Sequence, residues 1–200
     1  MLRTDIIQKF INHYGYKSYL EIGVNDGENF NNIKIRKKKS VDPALGKYED
    51  ANPTYKMTSD EYFEKYPKLR YDIIFIDGLH HSEQVDKDIE NSLKVLNDGG
   101  TIVVHDCNPI CLDHQVVPRV KKGIWNGDVW KSFVKFNFNN HQKYDCFVIN
   151  SDHGCGIIRE GMGSCFYDIP SDFTYGWLEK NRKAALNLID PNQLDEYFYI

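Results

Sequence analysis

Tyr71-Asp72-Ile73-Ile74-Phe75-Ile76-Asp77-Gly78 is the stretch on which the reading of this chain turns. It is a nearly unbroken apolar run, too short for a helix with a solvent face, and suits a strand covered on both sides. It ends abruptly at an acid followed by glycine. Working outward, the same plan recurs. Ser18–Ile22 runs into Gly23-Val24-Asn25-Asp26-Gly27, Lys38–Val41 closes on Asp42-Pro43, and Thr101–Val104 closes on His105-Asp106.

Between these runs lie amphipathic segments. An opening helix over Asp5–His13 places Ile6, Ile7, Phe10 and Ile11 on one face. A second, over Ser82–Leu96, spaces Val85, Ile89, Leu93 and Leu96 at helical intervals, with Gly99-Gly100 as its stop. Further helices are expected within Trp125–Phe138 and over Phe173–Leu188. Tyr144–Asn150 and Gly156–Arg159, joined by Ser151-Asp152-His153-Gly154-Cys155, read as an antiparallel hairpin. Strands alternating with helices predict a doubly wound α/β sheet, mostly parallel, with the hairpin at its C-terminal end. No repeat, low-complexity tract or linker breaks the chain, so residues 1–200 are read as a single domain.

Composition narrows the function. Hydrophobic residues make up 41% and charged residues 27% of the 200, with 13 Tyr and 11 Phe, which excludes a disordered chain. A net charge of −4 offers no footprint for nucleic acid, and the run Lys34, Arg36, Lys37, Lys38, Lys39 reads as a solvated face. Five irregularly spaced cysteines suggest reduced thiols. The first twenty residues hold Arg3, Asp5, Lys9, His13 and Lys17, leaving no signal-peptide core. No stretch reaches the roughly 18 apolar residues of a membrane span. The expectation is a soluble cytoplasmic protein.

In open α/β sheets ligands bind beyond the carboxyl ends of the strands, where the strand order reverses. Here Glu21, Gly23, Asn25 and Gly27 form a turn whose glycines allow a close backbone approach. Asp42 is placed to accept hydrogen bonds from ribose hydroxyls. Thr58-Ser59-Asp60 falls where a third strand would end, suited to an adenine edge. The turn is neither Gly-x-Gly-x-x-Gly nor a P-loop, which disfavours nicotinamide dinucleotides and excludes the P-loop nucleotide site. Asp77 and Asp106 complete the row. The set, from about Tyr19 to Asp106, resembles the class I S-adenosylmethionine (SAM) dependent methyltransferases. Glu21–Gly27 is similar to their first motif, Asp42 to their ribose-binding acid, Tyr71–Gly78 to their fourth motif, and the closing hairpin to the one that ends their fold. The resemblance implies a seven-stranded sheet binding SAM at Glu21, Gly23, Asn25, Gly27, Asp42, Ser59, Asp60 and Asp77.

Methyl transfer to an alcohol requires alignment of the acceptor oxygen and removal of its proton, by a histidine, a carboxylate or a metal-bound hydroxyl. Asp77-Gly78-Leu79-His80-His81 and Val103-Val104-His105-Asp106 carry all three ingredients. Asp77, His105 and Asp106 form a candidate set for Mg²⁺, Mn²⁺ or Fe²⁺. The Asp-Gly-x-His arrangement resembles the metal-dependent sugar O-methyltransferases of macrolide biosynthesis. That likeness implies Asp77 as ligand, His80 as catalytic base and Asp106 as ligand, with His105 where that family has Glu. Blander readings stand beside these: His81 as a helix cap or solvent-facing residue, and His105 as a satisfied polar side chain. Cys107, Cys111, Asp113 and His114 lack zinc spacing, and Cys107 reads as a small residue packed behind the site.

The long stretch from His114 through Arg119 to Trp130 is the expected acceptor pocket, with Trp130 alternatively a core position. From Thr58 to Trp130 the chain also resembles methyltransferases of surface glycan synthesis, which implies a sugar or glycan acceptor. A catechol-type O-methyltransferase and a non-catalytic SAM- or nucleotide-binding domain are the alternatives. Nucleic-acid methylation is disfavoured, since Asn108-Pro109 is followed by Ile110.

Overall fold

The computed structural model describes residues 1–44 and 52–198. Seven strands form one sheet in the order β2-β1-β3-β4-β6-β5-β7. They are β1 (Ser18–Ile22), β2 (Lys37–Val41), β3 (Tyr71–Ile76), β4 (Leu96–Val104), β5 (Tyr144–Ile149), β6 (Cys155–Glu160) and β7 (Leu188–Ile189). β1, β2, β3 and β4 pair in parallel, and β6 runs antiparallel to both β4 and β5. The doubly wound, mostly parallel sheet with its closing hairpin is therefore present.

The apolar run of β3 resolves into two faces by alternation. Ile74 and Ile76 point with Leu20, Ile22, Ile102 and Val104 into one core, covered by α3 (Ser59–Lys65), α4 (Ser82–Val95), α6 (Val129–Asn140) and α7 (Tyr175–Ala185). Ile73 and Phe75 point with Tyr19, Val103 and Ile157 into the other. There α1 (Arg3–Tyr14) lays down Ile6, Ile7, Phe10 and Ile11, joined by Leu194 of α8 (Gln193–Tyr197). Burying such side chains contributes about 1.5–3 kcal/mol apiece, which is what holds the two helical layers to the sheet.

Register places the functional row. Ile22 is level with both Val41 and Ile76, and Ile76 is level with Val104. The next residue on each strand, Gly23, Asp42, Asp77 and His105, therefore lies along one edge, between strands whose order reverses at β1. The ladder continues through it: Gly23 N donates to Val41 O at 2.9 Å, Asp77 N to Ile22 O at 2.8 Å, and His105 N to Ile76 O at 2.9 Å.

Three expectations are corrected. Thr58-Ser59-Asp60 does not close a strand: Thr58 caps α3, its side chain accepting from Glu61 N while the Glu61 carboxylate accepts from Thr58 N. The chain beside β2 contributes an isolated bridge, Val41 to Tyr55. The seventh strand is instead β7 at the far edge, paired with β5; Leu188 was read as the end of the last helix, which stops at Ala185. Gly99-Gly100 does not stop α4, which ends at Val95. Gly100 lies inside the irregular entry of β4, where a Cβ would meet Asn97 O and Asp72 O at 2.8 Å.

Candidate active site

The turn after β1 is tied together from both sides. Asp42 Oδ2 accepts from Val24 N at 2.7 Å and Asn25 N at 3.4 Å, while Oδ1 accepts from Ala44 N at 2.5 Å. Oδ1, with a single donor, keeps a further lone pair for a ligand hydroxyl. Gly27 begins α2 (Glu28–Asn32) with φ 82°, and Asn25, at φ 53°, is exposed. The reason for Gly23 differs from the expected one. A Cβ there would lie 2.0 Å from Asp77 O, so glycine is required by the backbone of the adjacent strand end. Glu21 is 1% exposed and bonded to the Tyr19 hydroxyl and to Asn29 Nδ2. Burial pushes its carboxyl up to about 8. It ties β1 to α2 from within the fold.

Ser59 and Asp60 stand at the start of α3, held to α4 by Gln84, whose Nε2 reaches Ser59 Oγ at 3.3 Å and Asp60 Oδ1 at 3.0 Å. The same Nε2 reaches Asp88 Oδ1 at 3.2 Å. Asp88 is 1% exposed and burial pushes it up to about 6. Gln84 and Asp88 were not singled out from the sequence; their polar character on the buried side of a helix was the signal.

At the ends of β3 and β4 four titratable groups meet. His80 Nε2 lies 3.1 Å from Asp77 Oδ1, and His80 Nδ1 lies 3.1 Å from Asp106 Oδ2. His105 Nδ1 lies 3.2 Å from Asp77 Oδ1 and 3.4 Å from Asp106 Oδ2. His80 and Asp106 adopt φ values of 55° and 62°, a left-handed backbone that costs non-glycine residues of order 1–3 kcal/mol and recurs at functional sites. The outer carboxylate oxygens are held by the protein. Asp77 Oδ2 accepts from Arg3 Nη1 at 2.7 Å, and Asp106 Oδ1 accepts from Asn126 Nδ2 at 2.7 Å. Arg3 also pairs with Asp152 in the β5–β6 turn, Nε to Oδ2 at 2.9 Å. Arg3 and Asp152 were missed in the sequence, because nothing local marks residues that meet only through the tertiary fold, and Asn126 was read only as part of the acceptor-pocket stretch.

Charge follows from this packing. Burial alone would raise the Asp77 pKa, but the charges and hydrogen bonds of His105 and His80 hold it well below the usual carboxylate range. Burial would likewise lower both imidazoles. The carboxylates outweigh it, raising His105 well above its ordinary value and raising His80 as well. Ligand atoms of Asp77, His80 and Asp106 lie within 4.8 Å of one another, a donor set of two carboxylates and an imidazole that fits a divalent cation. The expected set named His105 as the third ligand. His105 is 3% exposed and packs against the same two acids, whereas His80 is the imidazole that completes the compact group.

Trp125 stacks on His80 with ring centroids 5.3 Å apart and 18° between planes, and its carbonyl lies 3.3 Å from His80 Nδ1. His81 occupies the N-cap position of α4 without a side-chain cap bond; Asp128 supplies the cap instead, bonding Ser82 N at 2.7 Å and Ser82 Oγ at 3.0 Å. Trp130 is fully buried beside Trp177 and belongs to the core. Cys107 is buried, its Sγ 3.3 Å from Val104 O, behind the site as expected.

Residues 20–107 match the family model described as a methyltransferase domain. The matched span contains the turn after β1, Asp42, Asp77, His80 and Asp106. Among solved structures, the chain is similar to an O-methyltransferase from Bacillus cereus in complex with SAH (15% identity, TM-score 0.55, 78% of each chain covered). It is similar to TomG, an O-methyltransferase from Streptomyces achromogenes involved in tomaymycin synthesis, in complex with SAM (10% identity, TM-score 0.55, 79% of each). It is also similar to the MycE methyltransferase of the mycinamycin pathway in complex with Mg, SAH and mycinamycin VI. That last match has 14% identity and a TM-score of 0.51, and covers 84% of this chain and 51% of that one. A sequence search of curated proteins finds no match. The architecture is that of the class I methyltransferase fold, and residues 20–107 match the methyltransferase-domain model.

Proposed function

We propose that the protein is a SAM-dependent O-methyltransferase acting on a hydroxyl of a sugar or glycan, with His80 as the base. The observation that carries this reading is the His80 imidazole held between Asp77 and Asp106, beside the strand-end row of Gly23 and Asp42. SAM supplies an electrophilic methyl carbon to the acceptor oxygen and leaves as S-adenosylhomocysteine (SAH). Asp42, backed by the Val24 and Asn25 amides, is placed for the ribose hydroxyls. Asp77 and Asp106 each hold one nitrogen of the His80 ring, so His80 takes the acceptor's proton when the acceptor oxygen replaces one of these carboxylates at its nitrogen. Trp125, stacked on His80, offers an aromatic edge for a sugar ring, and MycE, with mycinamycin VI bound, is a structural relative in keeping with such an acceptor. A divalent cation such as Mg²⁺ or Mn²⁺, held by Asp77 and Asp106, would act as a Lewis acid on the acceptor hydroxyl and leave His80 as the base.

Calorimetry with SAM and SAH, followed by transfer of a labelled methyl group to a panel of glycans, nucleotide sugars and catechols, tests the reading. Binding of both nucleosides with label entering the sugars supports it. Label entering catechols alone overturns the acceptor class, and failure to bind SAH overturns the enzyme. Loss of turnover in EDTA, restored by Mn²⁺ or Mg²⁺, assigns the cation; full turnover after exhaustive chelation removes it.

A further inference from the structure

The loop 116–125 is folded on itself at the mouth of the site. Trp125 Nε1 donates to Val116 O at 2.7 Å, and Asn126 N and Gly127 N both donate to His114 O, at 2.8 and 3.1 Å. Inside the loop, Arg119 donates to Lys121 O at 3.0 Å and to Gly123 O, with its guanidinium 5.8 Å from the centre of the Trp125 ring. A loop closed and filled in this way holds a shape, and its outward side chains are presented on purpose-built backbone.

Those side chains are apolar and basic. Of the eleven large apolar residues exposed among the described residues, five lie in this region: Ile110, Leu112, Val117, Val120 and Ile124. Val120 and Ile124 are 64% and 53% exposed. Lys121 and Lys122 stand between Val120 and Ile124, and no acid occurs between Asp113 and Asp128. Asp113 pairs with Lys121 at 2.6 Å, and Lys122 takes part in no ion pair among the described residues. This is a cationic, apolar projection on a chain of net charge −4.

We propose that the loop docks the protein on an anionic membrane surface, turning the mouth of the Asp77–His80–Asp106 site toward acceptors carried there. Apolar tips that enter the acyl boundary and Lys or Arg that remain among anionic headgroups are the two components of interfacial binding. A second copy of the chain fits this surface less well, because a two-fold contact through the loop would set its like charges against each other. No helix of the described residues is long and apolar enough to cross a membrane, so docking would be peripheral. The orientation of the site toward a surface-borne acceptor rests on the proposed function; the docking itself does not.

Sedimentation of the full chain with vesicles tests the proposal, comparing phosphatidylcholine containing phosphatidylglycerol with phosphatidylcholine alone. Binding to the anionic vesicles, weakening as salt rises, is expected. Val120→Asp/Ile124→Asp should lower it at least about tenfold, and removal of Lys122 about fivefold. SAH calorimetry on the same variants should be unchanged, which shows that they fold. Absence of binding to anionic vesicles overturns the proposal, as does undiminished binding of the Asp variants. A dimer in sedimentation velocity that those variants abolish overturns it too, assigning the patch to self-association. If the wild type binds vesicles but not SAH, the enzymatic reading fails and the docking surface stands.

Discussion

A methyl group placed on Gly127 would lie 1.8 Å from the carbonyl oxygen of His80 and 2.7 Å from its Cβ. The loop after β4 is thus pressed directly onto the left-handed turn that aims the His80 ring, and Gly127 itself sits at φ 63°. Gly127→Ala must displace one of the two. A shift of about 1 Å at a base can cost about a hundredfold in rate. The expected outcome is a fall in kcat of that order with SAH affinity within about twofold, because the proposed cofactor residues Gly23 and Asp42 lie on the other side of Asp77. Unchanged turnover in the variant would show that the loop yields and His80 does not.

Asp42 braces the Val24 and Asn25 amides and, in the proposed function, also accepts from the ribose hydroxyls. Asp42→Ala removes both. Hydrogen bonds to a charged group contribute about 1.5–3 kcal/mol, so SAH affinity should fall about 10- to 100-fold by calorimetry. Asp42→Asn keeps one oxygen for Val24 N but turns a donor where the second acceptor was, and should fall between. Wild-type affinity in both would remove Asp42 from the cofactor site.

The strand-end row was legible because buried parallel strands leave a distinctive print: an apolar run, then an acid or glycine at the register line. Gly23, Asp42, Asp77 and His105 were all found that way. The third-strand reading of Thr58–Asp60 failed although the capping-box pattern of Thr58 and Glu61 was in view, since the β–α alternation was carried one strand too far. Leu188 was read as the last residue of the final helix; the chain leaves α7 through Asn187 at φ 44° and joins the sheet edge instead. Arg3 had no such print. It lies 74 residues from Asp77 and 149 from Asp152, and only the packing of α1 on the sheet brings them together.

Arg3 offsets two carboxylates that are otherwise packed among imidazoles. Its side chain is 30% exposed, and those of Asp77 and Asp152 are 16% and 8% exposed. Breaking a buried pair from one side costs about 3–5 kcal/mol, and the exposure of Arg3 places Arg3→Ala at the lower end. Burial would raise Asp152, but the hydrogen bonds and charges of His105 and Arg3 hold it well below its ordinary value. A depressed carboxylate contributes stability above its unfolded pKa, about 3.9, and loses it as pH falls toward the folded value. Arg3→Ala should therefore lower Tm at neutral pH and move the acid unfolding midpoint to higher pH, both measurable by circular dichroism. An acid midpoint that stays in place would mean that His105 alone sets the charge of Asp152.

The sharpest expectation concerns His80. Burial by itself would lower its pKa; the hydrogen bond and charge of Asp77, with the charge of Asp106, outweigh burial and raise it above 6.5. A base must be unprotonated to accept the acceptor's proton, so the rate should rise with pH through an inflection above 6.5, the ordinary histidine value. Asp106→Asn removes one of the charges that raise it, and the inflection should move down. His80→Ala should lower kcat about a hundredfold or more and abolish the inflection, with SAH binding nearly intact. His81 provides the control. It meets Trp125 edge-on, centroids 6.1 Å apart, and makes no cap bond, so His81→Ala should keep both rate and profile. Loss of turnover in His81→Ala with retention in His80→Ala would move the base by one residue. An inflection that survives in His80→Ala would transfer the proton to Asp77, Asp106 or a metal-activated hydroxyl.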